Sequence, residues 1–314
     1  MTALLACLLL ASPPTAAQID AAREYSFSRA GISFLVMHRG RIVAEEYRGL
    51  GAENRPTELA SGTKSFSGVL ALAAEEDGLL RLDERVSETL QEWREDGRRD
   101  VTIRELLQLV GGIPSGPSPL RGGLVPSYAD AIKTEANAPP GRRFQYGATP
   151  FMVFGEVLRR KLEPRGEGVL EYLRRRVFAP IGVEHGFWRK DADGNPHLPS
   201  GAAMTARNWA RFGETIRLDG RGVLKPGQVK RLWEATAANP TYGLTWWLPM
   251  AGAGGAVGRA LVEGLPNDVR MAAGAGGQRL YVIPSRELVV VRQAPVRGGE
   301  RFQDGEFLRR LLKG

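Results

Sequence analysis

Two apolar, β-rich segments stand near opposite ends of the chain, and they constrain the fold more than anything between them. Ile32–Met37 is a short apolar run, followed by His38-Arg39-Gly40-Arg41 and then by Ile42–Tyr47. The pattern reads as a hairpin closed by a basic, glycine-containing turn. Near the far end, Arg279–Ile283 and Leu288–Val291 flank Pro284-Ser285-Arg286-Glu287 and form a second hairpin. Helical spacing governs the middle. Phe66, Val69, Leu70 and Ala73 share one face, with Gly78 as C-cap, and Val86–Trp93 follows. Thr102–Leu107 starts behind an N-cap at Thr102 or Asp100, and Phe151–Leu162, Val169–Phe178 and Ala206–Leu218 are further helices. Phe307–Leu312 closes the chain as a short helix. Strand-rich ends around a helical middle predict an α/β plus all-α architecture, its sheet assembled from both ends of the chain around a helical insert. The expected parts are 18–80 and 206–314 for the α/β domain and 81–205 for the helical domain.

Composition removes several alternatives. Of 314 residues, 43% are hydrophobic and 25% charged, which excludes wholesale disorder, a collagen-like chain and a multi-span membrane protein. The single cysteine, Cys7, leaves no intramolecular disulfide and no cysteine-based zinc site. A net charge of +8 raises nucleic acid as a partner. The basic residues are interleaved with acidic ones, however, as in Asp77, Arg81, Asp83, Glu84 and Arg85, and the densest run is only Arg174-Arg175-Arg176. A solvated surface is the better reading, and no nucleic-acid partner is expected. Ala3–Ala11 is an apolar run of nine residues, too short for a bilayer, which takes about 20. Followed by the small residues Thr15-Ala16-Ala17, it reads as a signal peptide over residues 1–17, though without the usual basic start. The expectation is export to the periplasm or beyond, with no stable membrane insertion after cleavage.

The chain has no GxxxxGK[ST], no HExxH and no GxSxG, and His38, His185 and His197 lie far apart in sequence. Nothing here implies a metal or cofactor. What remains is Ser61-Gly62-Thr63-Lys64 at the expected start of a helix. Residues i and i+3 share a helical face about 5–6 Å apart at Cβ, so the amine reaches the hydroxyl. A neutral amine there accepts the hydroxyl proton and makes the oxygen a nucleophile. Burial and the positive end of the helix dipole both favour the neutral form. The same helix end offers the N–H of Ser61 to an oxyanion. On these four residues alone, an N-capping serine with a surface lysine is the better reading. The Gly-, Pro- and Ser-rich stretch Gly111–Pro126 is longer than a simple connector and is a candidate functional loop.

Three separated stretches add context: Leu59–Phe66, Asp77–Asp83 and Thr102–Leu107. Together they resemble the penicillin-recognising serine hydrolases, in the class C β-lactamase-like branch with its D-alanyl-D-alanine peptidases, esterases and 6-aminohexanoate-oligomer hydrolases. The likeness runs from about Ile32 to Val291. It implies a β-lactamase/transpeptidase-like fold, an antiparallel sheet flanked by helices. It also implies that Tyr146, in Pro140–Ala148, stands where the family has its Y-x-N tyrosine and relays a proton to the leaving group. Tyr128 competes for that role. Ala272–Gln278 is similar in position to the K-T-G strand in its glycine-rich version. The N–H of Ala275 is then the second oxyanion donor, with Gly276 as the other register, and Gly274, Gly276 and Trp246 line the substrate path. Trp188 and Trp247 are further candidates for an apolar pocket. Two positions depart from the pattern, Ala148 for the asparagine and Ala272 for the lysine, and these remove contacts that hold a β-lactam or peptide. The resemblance therefore implies a small ester or amide substrate, an acyl-enzyme on Ser61 with Lys64 as base, and no cofactor. The alternative is a catalytically weak protein that binds a cell-envelope ligand.

Overall fold

The computed structural model describes residues 12–116, 124–248, 264–297 and 302–313. Both expected hairpins form, as β1 (Ser33–His38) with β2 (Arg41–Tyr47) at one end of the chain. A short ladder, β3 (Thr57–Glu58) with β4 (Ala203–Met204), lies beside the main sheet. At the other end run β5 (Arg270–Gly274), β6 (Gln278–Ile283) and β7 (Leu288–Gln293). The five long strands make one antiparallel sheet in the order β2-β1-β7-β6-β5, with β1 paired to β7 from Ser33–Gln293 to His38–Leu288. Strand β5 was implied only by the resemblance of Ala272–Gln278 to the K-T-G strand, and not by any local strand pattern. Its Arg-Met-Ala-Ala-Gly sequence has little β-branched or aromatic character, and its pairing with β6 supplies what local propensity lacks.

The helices are α1 (Ala16–Ser28), α2 (Lys64–Glu76), α3 (Ile103–Leu107), α4 (Tyr128–Ala131), α5 (Thr149–Leu162), α6 (Val169–Leu173), α7 (Ala206–Arg217) and α8 (Asp304–Leu312). Thr102 caps α3 with a complete capping box, its hydroxyl accepting from the N–H of Glu105. The expected helix at Val86–Trp93 is instead two single 3₁₀ turns. Every residue of β1 is buried because both sheet faces are covered. Leu35 and Met37 face the core containing α2 and α7, whereas Phe34 and Val36 face a second core formed with α1 and α8. Phe66 is a hub of the larger core, meeting Phe178, Phe212 and Trp188 at centroid distances of 5.2, 4.7 and 5.9 Å.

Helix α1 begins inside the stretch read as a signal peptide. Thr15 is its N-cap, in a capping box with Gln18, and Ala22 and Tyr25 are buried in the second core. Residues 1–11, which carry the apolar run of that reading, lie outside the described residues. No described helix is long and apolar enough to cross a membrane. The Arg174–Arg176 run spends much of its charge locally, Arg175 on Glu167 and Arg176 on Glu76 and Asp77.

Tyr128 lies against the backbone of α5, where a Cβ on Gly155 would come within 2.2 Å of its ring. Gly155→Ala is expected to destabilise the chain by about 2 kcal/mol, the overlap outweighing alanine's better helix propensity. Thermal unfolding measures this, and an unchanged melting temperature contradicts the packing.

Candidate active site

The chain leaves β3 through Leu59, whose N–H donates to the carbonyl of Ala202 at 2.9 Å. Ala60 then takes φ 46°, a left-handed conformation that costs a non-glycine residue about 1–2 kcal/mol. This bend opens the 3₁₀ turn Ala60–Thr63, which runs into α2. Ser61 lies in the turn and Lys64 is the first residue of α2, so the i, i+3 spacing brings Lys64 Nζ to 3.1 Å from Ser61 Oγ.

Lys64 is 4% exposed. Its amine also donates to the carbonyl of Pro199 at 3.0 Å and sits 4.9 and 5.3 Å from the ring centres of Tyr146 and Phe151. Burial among these groups pushes the ammonium down from 10.5 to about 7. The neutral amine has a lone pair for the serine proton, while Pro199 fixes one of its N–H bonds. Turnover that needs this free base is expected to rise with pH through about 7 and level off above it, which a pH profile of kcat/KM measures. A profile falling across that interval contradicts a lysine base. The sign for stability is the same. Between about pH 7 and 10.5 the unfolded chain binds the proton and the folded chain does not, so this group's contribution to stability rises with pH.

Tyr146 reaches the same place from the loop ahead of α5. That loop is pinned by the N–H of Gln145 on the carbonyl of Leu109 and that of Ala148 on Ser115, at 2.8 and 2.9 Å. Its ring packs against Trp247 and Tyr242, at 5.3 and 6.1 Å. Burial raises its phenol, opposed by hydrogen bonding with Ser61, and the group stays protonated at neutral pH. Tyr128 is elsewhere, buried with its hydroxyl donating to Pro196 O at 3.0 Å. Of the two tyrosines, Tyr146 is the one that lines a cavity together with Ser61 and Lys64.

Ser61, Lys64 and Tyr146 open onto one cavity of about 550 Å³, also lined by Ser115, Ala148 and Ala275. Ala275 lies just beyond β5, whose end approaches the serine turn very closely. A Cβ on Gly274 would fall 2.1 Å from the carbonyl oxygen of Leu59 and 3.0 Å from the nitrogen of Gly62. Only a hydrogen fits there. Ser61 and Ala275 thus line the same cavity from the two sides of this contact.

Three expected lining residues are corrected. Gly274 and Gly276 are not among the residues lining the cavity and instead flank Ala275, the first filled by Leu59 and the second at φ 75° against the carbonyl of Pro295. Trp246 is a core residue, fully buried and stacked on Phe212 at 6.2 Å with Trp233 at its edge. Its neighbour Trp247 pairs by backbone with Met271 and presents its ring to Tyr146. Trp188 is likewise core. Of the two departures, Ala148 lines the cavity and Ala272 is buried. Sequence reasoning missed the Pro199 carbonyl, 135 residues from Lys64, and the Glu58–Arg189 ion pair of 2.7 Å at the cavity wall. Neither has a local sequence signal. The described part of the Gly111–Pro126 loop does contribute to the cavity, through Ser115 and Gly116.

Among the described residues, no group of three or more His, Cys, Asp or Glu side chains is arranged to hold a metal ion. Among solved structures, the hydrolase EstCE1, described with promiscuous acyltransferase activity, superposes with a TM-score of 0.73 at 17% identity over 93% of this chain and 98% of its own. A beta-lactamase from Mycobacterium bovis gives 0.67 at 20% identity over 91% and 94%. At these identities the likeness is one of fold. Protein flp of Staphylococcus aureus is 22% identical over 200 residues, covering 57% of this chain and 40% of the relative, so the match spans well under half of that protein's length. The beta-lactamase family description matches residues 18–312, nearly the whole chain. By that match, and with the serine, lysine and tyrosine gathered at one cavity, this chain belongs to the beta-lactamase family.

Proposed function

We propose that the protein is a serine hydrolase that cleaves a small ester or amide through an acyl-enzyme on Ser61. The observation that carries this reading is the buried Lys64 amine, 3.1 Å from Ser61 Oγ and depressed to about 7. Ser61 Oγ bonds to the substrate carbonyl carbon as its proton passes to Lys64 Nζ. The carbonyl oxygen becomes an oxyanion between the N–H groups of Ser61 and Ala275. Tyr146 gives its proton to the leaving oxygen or nitrogen, the bond to carbon breaks, and Lys64 returns a proton to the phenolate. Water then attacks the acyl ester, releases the acid and restores Ser61.

The small side chains at Ala148 and Ala272 favour ester or simple amide cleavage over β-lactam turnover. A short-chain p-nitrophenyl ester is expected to release a burst of nitrophenol equal to the enzyme concentration. A fluorophosphonate should add one mass adduct, located on Ser61. A chromogenic cephalosporin should turn over at least about tenfold more slowly than the ester, a contrast in transition-state binding. No burst and no adduct would instead favour a binding protein for an envelope ligand.

A further inference from the structure

At the Gly274–Gly277 turn beside the cavity, an arginine whose side chain is only 11% exposed holds the peptide that links Gly274 to Ala275. Arg279 on β6 is anchored by Asp304, the first residue of α8, through Nε at 2.5 Å and Nη2 at 3.0 Å. Asp304 is itself buried and also accepts from the hydroxyl of Tyr281 at 2.5 Å. With two nitrogens committed to the carboxylate, the third, Nη1, donates to the carbonyl oxygens of Gly274 at 3.0 Å and Gln278 at 2.9 Å. Arg292 holds the other end of the turn, its Nη1 donating to Gly277 O at 2.8 Å and Gly276 O at 3.3 Å.

The carbonyl of Gly274 and the N–H of Ala275 belong to one planar trans peptide, so they point in opposite directions. Fixing the carbonyl therefore fixes the direction of the N–H. A charge-assisted bond to the oxygen also polarises that peptide and strengthens its N–H as a donor. We propose that Arg279, clamped by Asp304, is a positioning residue for the oxyanion site, acting on developing negative charge through the Gly274–Ala275 peptide. The proposal rests on the acyl-enzyme reading above. A purely structural role, tying β6 to α8, predicts lost stability and nothing specific to the transition state.

The test compares wild type, Ser61→Ala, Arg279→Met and Arg279→Lys with a p-nitrophenyl acetate carrying ¹³C at the carbonyl. Arg279→Lys keeps the charge facing Asp304 but lacks the fork that reaches Gly274, and it stands in should Arg279→Met fail to fold. The readouts are kcat and KM, melting temperature, and the isotope-edited infrared stretch of the acyl-enzyme carbonyl. The expected result is a kcat loss of about 10–100-fold in both variants, part of what an oxyanion donor is worth, with KM changed less than about twofold. The acyl carbonyl stretch should move to higher frequency as its hydrogen bonding weakens. Folded variants with wild-type kcat and stretch, or a loss of stability with the stretch unmoved, overturn the proposal while leaving the serine hydrolase reading intact. Wild type that forms no adduct at Ser61, or Ser61→Ala as active as wild type, overturns both.

Discussion

Ser61→Ala and Lys64→Met are each expected to lower kcat for ester hydrolysis by at least about 10³-fold, and the double variant to be no worse than the poorer single one. The reason is that the two groups act as one unit. An alkyl alcohol is a poor nucleophile until a base takes its proton, and at 3.1 Å the Lys64 amine is placed to do so from its buried position. Methionine at 64 keeps the length and much of the packing against Tyr146 and Phe151, so the loss reads the missing base and not a collapsed site. Stability is expected to hold or rise, because an amine buried at 4% exposure is replaced by a thioether with no charge to desolvate. Steady-state kinetics with a melting curve tests both halves. Residual activity in Lys64→Met within tenfold of wild type removes lysine from the mechanism, and additive losses in the double variant deny that the pair is a unit.

Gly274→Ala is expected to lower kcat by about 10²-fold from a single methyl group. At φ −130° the backbone suits any residue, so no conformational strain enters. What remains is steric. The added Cβ would lie 2.1 Å from the carbonyl oxygen of Leu59, a backbone atom held by the bond from Leu59 N–H to Ala202, and neither can swing aside. Relief requires the end of β5 to separate from the serine turn by about 1 Å. A displacement of that size between reacting groups costs about 10²-fold. The two proposed oxyanion donors sit on the two sides of this contact, Ser61 on the serine turn and Ala275 just past the end of β5. Substrate affinity should change much less than turnover. A crystal structure of the variant with the turn and strand unmoved, or kcat within twofold of wild type, contradicts the account.

The two hairpins, most of the long helices and the Ser61–Lys64 pair were legible in the sequence because each is a short-range pattern. Alternating or continuous apolar runs specify the strands, and i, i+3 spacing sets serine beside lysine wherever the helix lies. Strand β5 and helix α1 were not legible as local patterns. The first has weak strand propensity and exists by pairing with β6; the second overlaps a stretch whose small residues also suit a cleavage site. Trp246 and Trp247 illustrate the same limit inside the site. Adjacent tryptophans have the same local signal, and only the pairing of Trp247 with Met271 decides which ring turns toward Tyr146 and which enters the core.

The amino-acid order by itself determined that a hydroxyl and an amine would share one face at the start of a helix. Tertiary structure alone decided that the amine would reach its neutral state near pH 7 instead of 10.5. That state depends on Pro199, Tyr146 and Phe151 closing around Lys64, from segments roughly eighty to more than a hundred residues away along the chain. Proton affinity is set by what surrounds a group in space, and no local pattern of residues encodes that.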